Sequence, residues 1–168
     1  MSQSPKDAHL QKTNAMRELE VAHIPYEVNI YDVEDEVSVG IGVRVAEACG
    51  IDPDSAFKTL VCHSGKSSYA VFCIPVAHDL DLKKAARAAH QKSLELLNIK
   101  DLYIVTGYVR GGCSPVGMKK QYPTFIDETA QLYDSIGISG GKIGVQLIMN
   151  PYDLAEHCHA EFVDLVES

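Results

Sequence analysis

The residues best suited to chemistry fall in the stretch from Gly107 to Lys120, which reads G-Y-V-R-G-G-C-S-P-V-G-M-K-K. Glycine lets a backbone turn through positive φ and lets another molecule come close to its N–H groups. The proline after Ser114 fixes its own φ and pushes the serine towards an extended conformation. A rigid loop with exposed amide donors results, with Gly111, Gly112, Cys113 and Ser114 supplying the amides. Such a loop can cradle an anion, or stabilise the oxyanion that forms when an acyl carbon is attacked. A second cluster, Gly137, Gly140, Gly141 and Gly144, follows. Eight of the twelve glycines thus lie between residues 107 and 144, and the site is expected there.

Lys58 is the sharpest single residue. In the run A-F-K-T-L-V-C a strand would put it on one face with Ala56, Leu60 and Cys62. An ammonium on an apolar face is costly without a partner or ligand; the alternatives are that this face is the solvent side or that Lys58 snorkels. Cys113, in the glycine loop beside Arg110, is the one candidate for a protein nucleophile, since a nearby cation lowers a thiol pKa. It lacks a positioned base, and a small apolar side chain would serve the loop equally. His157-Cys158-His159 has the composition of a metal tract, but neighbours along a strand or loop seldom converge on one ion, so no metal is expected. Gly137–Ile143 lacks the spacing of a phosphate-binding loop, and Gly40-Ile-Gly42 lacks the third glycine of a dinucleotide fingerprint, so no cofactor is expected either. Tyr69, Tyr103, Tyr108 and Phe72 could stack nucleobases, but in apolar runs they read as core.

These residues must be positioned by a mixed set of elements. Residues 7–23 suit an amphipathic helix ended by Pro25, and Tyr26–Tyr31 alternates as a strand. An acidic link, 32–36, leads to a second helix over 39–49 with Gly50 at its end. Strands are expected at 56–62, 68–75, 124–127, 136–139, 144–149 and 162–166. Helices are expected from Asp79 to His90 and from Pro151 to His157, with a helical turn at 128–133. The runs 93–97 and 102–105 are not decided by periodicity. The implied class is mixed α/β (α+β), a mixed or barrel-like sheet with helices outside, in one domain over 1–168 whose first eight residues are loosely held.

The chain has 168 residues, 46% hydrophobic and 23% charged, with no apolar run long enough for a membrane span and no signal-peptide core at its start. It reads as cytoplasmic. Five scattered cysteines without a C-x-x-C pair argue against a disulfide framework. Net charge is −8, yet residues 81–120 carry eight cations against three acids. That basic segment includes Lys83, Lys84, Arg110, Lys119 and Lys120 and suits a polyanion, although a solvated helix would look similar.

Phe57-Lys58-Thr59-Leu60, Leu80–Lys84, Gly107-Tyr108, Gly111–Gly117, Lys119-Lys120, Ile126-Asp127 and Ser139–Lys142 occur in this order. In that order they resemble the YbaK/EbsC family of aminoacyl-tRNA deacylases, related to the editing domain of bacterial prolyl-tRNA synthetases, over about Lys12 to Val166. The resemblance implies hydrolysis of a mischarged aminoacyl ester, with Cys-tRNA(Pro) the typical substrate and Ala-tRNA(Pro) the alternative. It implies aminoacyl-tRNA and prolyl-tRNA synthetase as partners, with no DNA and no membrane. Lys58 matches the family's essential lysine with Thr59 beside it, Tyr31 a tyrosine near the pocket, and Gly111–Pro115 the G-x-x-x-P loop. With these, Gly140, Gly141, Lys142 and Gln146 are expected to line the substrate site. The position of Gln146 can be acidic in the YbaK branch, so the neutral amide bears on any role that needs a carboxylate. A non-catalytic module binding tRNA ends would use the same basic segment.

Overall fold

The structure, a computed structural model, describes residues 11–32, 46 and 50–168. Residues 33–36 of the expected acidic link, most of the 39–49 helix and the first ten residues lie outside them. Helix α1 (Asn14–Val21) starts where the Thr13 hydroxyl accepts the Met16 N–H, and buries Ala15, Met16 and Leu19. Strand β1 is Glu27–Ile30, β2 Phe57–Ser64 and β3 Ser68–Pro75. Asp81 caps α2 (Leu82–Ala88), β4 is the short pair Glu95–Leu96, and Asn98 caps α3 (Ile99–Thr106). The two undecided runs are therefore a short strand and a helix. Strands β5 (Thr124–Asp127), β6 (Ile136–Ser139) and β7 (Val145–Met149) precede α4 (Pro151–Cys158) and β8 (Glu161–Val163).

Two sheets form, in the orders β1-β7-β6 and β4-β2-β3-β5-β8, with β3, β5 and β8 parallel and the other pairs antiparallel. A parallel bridge between Ala56 and Gly137 joins them. Mixed strand pairing with helices is as expected; the two sheets do not close into a barrel. One face carries Phe57, Cys73, Ile126, Ile138 and Leu147 into a core with α1 and α4, and Val61 and Val71 into a smaller cluster with Val105 of α3. The opposite face buries Cys62, Phe72 and Ile74 under α2. Asp127 fixes the chain end from a fully buried position: one carboxylate oxygen accepts the Leu165 N–H and the other the Thr129 hydroxyl.

Helix ends explain several boundaries. His23, His90 and His159 take left-handed φ values of 57–58° and 52° at the ends of α1, α2 and α4, the position glycine usually fills. Histidine tolerates that region better than most side chains.

Candidate active site

The glycine loop folds as a closed unit. The Lys119 N–H donates to the Thr106 carbonyl, and the Tyr108 hydroxyl, itself buried, donates to the Val116 carbonyl at 2.6 Å. The two glycine clusters meet. A β-carbon on Gly112 would stand 3.0–3.2 Å from the backbone of Lys142 and Ile143, and one on Gly141 would stand 2.9 Å from the Tyr108 ring. Only glycine permits that approach. Gly140 is buried, its N–H donating to the Val145 carbonyl, and Lys142 is exposed at the hairpin tip.

Within the loop the amide donors are not equivalent. Gly112 donates its N–H to the Val109 carbonyl at 2.9 Å, so it is removed from the expected oxyanion donors. The N–H groups of Gly111, Cys113 and Ser114 have no partner among the described residues. Gly111 is exposed at φ 84°. The Ser114 hydroxyl is buried and accepts the Val116 N–H, while buried Pro115 accepts the Cys158 thiol on its carbonyl. The Cys113 side chain packs with Val61, Val71, Val105 and Tyr108, and burial pushes its thiol up to about 12 despite a hydrogen bond to Thr106. It is a protonated core group at neutral pH. A substrate could touch Cys113 only through its backbone.

Lys58 lies on the other face. Its register partner is Ile74, and burial holds its pKa below the ordinary lysine value while the Asp79 carboxylate pulls the other way. It is half-buried. Thr59 points to the opposite face, where its hydroxyl lies 3.9 Å from the Cys73 sulfur, so the two adjacent residues do not share a pocket wall.

The bridge at Ala56 and Gly137 places Lys58 level with Ser139 two residues on. Ser139 pairs with Gln146, and Gln146 pairs with Asn29. Directly paired residues share a face. Lys58, Ser139, Gln146 and Asn29 therefore form one polar row across β2, β6, β7 and β1. Gln146 is 6% exposed, and its side-chain carbonyl oxygen has no hydrogen-bond partner among the described residues. Its amide lies over Gly137, where a β-carbon would stand 2.9 Å from Nε2 and 2.9 Å from the Ile51 side chain. Tyr31, half-buried at the end of β1, donates its N–H to the Gly144 carbonyl at the hairpin just beyond the row. The row thus abuts the hairpin against which the glycine loop packs. Asn29 and Ser139 were not expected at the site; strand pairing, which alternation alone does not reveal, brings them there.

The cations divide. Lys84 donates to Asp164 at 2.9 Å and to the Val166 carbonyl at 2.8 Å, pinning the chain end to α2. Lys83, exposed, shares that helix. Lys119 sits 5.0 Å from the ring centroid of Tyr103, while Arg110 and Lys120 are exposed on the glycine loop. The single basic segment of the sequence is therefore split between the two sides of the sheet. Tyr103, expected in the core, is instead 59% exposed. A cleft of about 50 Å³, room for a few waters, lies between α1, α4 and the loop, lined by Glu18, Lys120 and His157 among others. Lys58 does not line it, and it is too small for a nucleoside. His157 pairs with Glu18 at 2.7 Å, and His159 ends α4.

Residues 41–157 match the model of the aminoacyl-tRNA editing domain. The chain belongs to the aminoacyl-tRNA editing domain family. This editing domain is 44% identical, over 92% of its length and 93% of the relative's, to an Enterococcus faecalis protein provisionally named Cys-tRNA(Pro)/Cys-tRNA(Cys) deacylase EbsC. A crystal structure provisionally described as a trans-editing enzyme for prolyl tRNA synthetase superposes with a TM-score of 0.76 at 25% identity, covering 99% of this chain and all of that one. The hypothetical protein APE2540 shares the fold, with a TM-score of 0.81 at 18% identity over 92% of this chain and all of its own.

Proposed function

We propose that this editing domain hydrolyses the ester of a mischarged aminoacyl-tRNA in trans, with cysteine on tRNA(Pro) as the substrate. The observation that carries this reading is identity to the EbsC deacylase over nearly the whole of both chains. The polar row beside a loop with unengaged amides supplies the chemistry. Attack on an ester carbonyl develops negative charge on its oxygen, and the N–H groups of Gly111, Cys113 and Ser114 are the candidate donors to it. Lys58, Asp79 notwithstanding, offers a partly desolvated ammonium to the terminal ribose or phosphate. The burial and raised pKa of Cys113 favour water, or the substrate's own thiol, as the attacking group. Arg110, Lys119 and Lys120, exposed on one side of the sheet, would meet the tRNA backbone. The protein acts as one domain in the cytoplasm, with prolyl-tRNA synthetase as a source of tRNA selectivity.

The test is release of amino acid from purified Cys-, Ser-, Ala- and Pro-tRNA(Pro) by the wild type and Lys58→Ala. Wild-type turnover of Cys-tRNA(Pro), reduced about 10²–10³-fold in the variant with an unchanged Tm, is expected. Turnover of alanine in place of cysteine would change the substrate, and equal rates for Cys- and Ser-tRNA(Pro) would assign the attack to water. Retained turnover in Lys58→Ala would remove the lysine from the mechanism.

A further inference from the structure

A buried carbonyl oxygen without a donor is rare in folded proteins, because removing it from water without a replacement bond is unfavourable. Gln146 is such a case, in a row whose other members are all polar. Packing does not call for an amide there. Ile148, two residues on along the same face of β7, shows that the strand accepts an aliphatic side chain. Gly137 contributes the space the amide occupies, since any β-carbon at that position would collide with it.

We infer that Gln146 Oε1 is the acceptor for the α-ammonium group of the aminoacyl ester, with Asn29 and Ser139 flanking it on the same face. This rests on the deacylase reading. An orphaned acceptor selects a donor, and the cysteinyl moiety of the ester offers two kinds. The cysteine thiol is a weak donor; the α-ammonium is a strong one, and its bonds are charge-assisted. Position agrees. Neighbouring strands lie about 4.8 Å apart, so the backbones of Lys58 and Gln146, separated by β6, are roughly 9–10 Å apart. An ester laid across β6 would present its ribose end to Lys58 and its amino end to Gln146. The two cations, that of Lys58 and that of the substrate, would then sit at opposite ends of the row. Ser139, a small half-buried residue, is the side chain of β6 that stands between them in the row.

The role assigned to Gln146 is positioning through a group common to all aminoacyl esters, so it predicts discrimination of the amino group rather than of the side chain. The experiment compares single-turnover hydrolysis of cysteinyl-tRNA(Pro) with that of 3-mercaptopropionyl-tRNA(Pro), the same ester without its amino group. Each rate is divided by the uncatalysed rate to remove intrinsic ester reactivity. Wild type should favour the cysteinyl ester by about 10- to 100-fold, the range of a hydrogen bond to a charged group. Gln146→Leu should lose that preference while keeping or raising Tm, because it deletes the orphaned oxygen. Gln146→Glu, which keeps acceptor oxygens at the position, should retain the preference. An equal preference in wild type and Gln146→Leu would overturn the inference and leave the deacylase reading standing. Loss of the preference in Gln146→Glu as complete as in Gln146→Leu would also overturn it, since the amide would then be acting as a donor. Hydrolysis of neither ester by the wild type would overturn the deacylase reading and this inference together.

Discussion

At Gly117 a β-carbon would stand 2.6 Å from the Tyr108 hydroxyl and 2.8 Å from the Ala15 nitrogen; at Gln146 a buried oxygen finds no hydrogen-bond partner among the described residues. The two regions adjoin the same β6–β7 hairpin, yet their compositions have different causes. The glycine loop is crowded. Gly112, Gly117 and Gly141 are glycines because backbone, hydroxyl and ring atoms occupy the space a side chain needs. The polar row is under-satisfied: its lysine is partly desolvated and its glutamine lacks a partner among the described residues. Close packing accounts for a residue type without any ligand, whereas an unpaired buried polar group is unfavourable until a ligand arrives. The row is therefore the stronger pointer to substrate, although the loop is far more conspicuous in the sequence.

That contrast can be broken most sharply at Gly117. Gly117→Ala adds a clash to a backbone held at φ 81°, and overpacking plus the left-handed penalty should cost roughly 2–5 kcal/mol. A thermal melt should show Tm lower by about 5–15 °C. A melt within a degree of wild type would mean that the loop yields, and that its glycines serve ligand approach instead.

Cys113 gives the next largest effect. Burial raises its thiol from the ordinary 9.0 to about 12. A raised folded pKa means stability present in full below pH 9 and lost as pH climbs from 9 towards 12, since only the unfolded chain then gives up the proton. Urea midpoints measured from pH 8 to 10.5 should fall, and Cys113→Ala should fall less steeply while keeping its deacylation rate. Rapid alkylation of this thiol at pH 8, with loss of turnover, would return it to the chemistry.

The smallest effect is expected at Lys84. Its bonds to Asp164 and the Val166 carbonyl make it a clamp on the chain end. Lys84→Ala should speed amide exchange at Glu167, which donates to the Asp79 carbonyl, and should leave the salt dependence of tRNA binding unchanged. Lys119→Ala, on the glycine-loop side, should shallow that dependence by about one phosphate contact. A shallower slope in Lys84→Ala would place RNA on the α2 side of the sheet.

Much of the architecture was legible. Alternation marked β1 and β2, and the aspartates of Asp79–Asp81 and the Asn150-Pro151 pair marked the starts of α2 and α4, because those signals are local. Periodicity left α3 undecided: Leu102–Val105 is a short apolar run, and the helix keeps Ile99, Tyr103 and Ile104 at the surface, so no amphipathic stripe announces it. The ends expected near residues 23, 90 and 157 fall within two residues of those observed, with histidine at the left-handed positions there.

By itself, the sequence determined which segments bend sharply, which strands have an apolar face, and that Lys58 lies in an apolar strand. Those properties depend on φ preferences and on side-chain alternation, which act within a few residues. Only the tertiary structure decided that the two glycine clusters touch, that the basic segment divides between two sides of the sheet, and that Lys58, Ser139, Gln146 and Asn29 stand in one row. Strand register joins residues more than a hundred positions apart, and no local preference encodes which of them will be opposite one another.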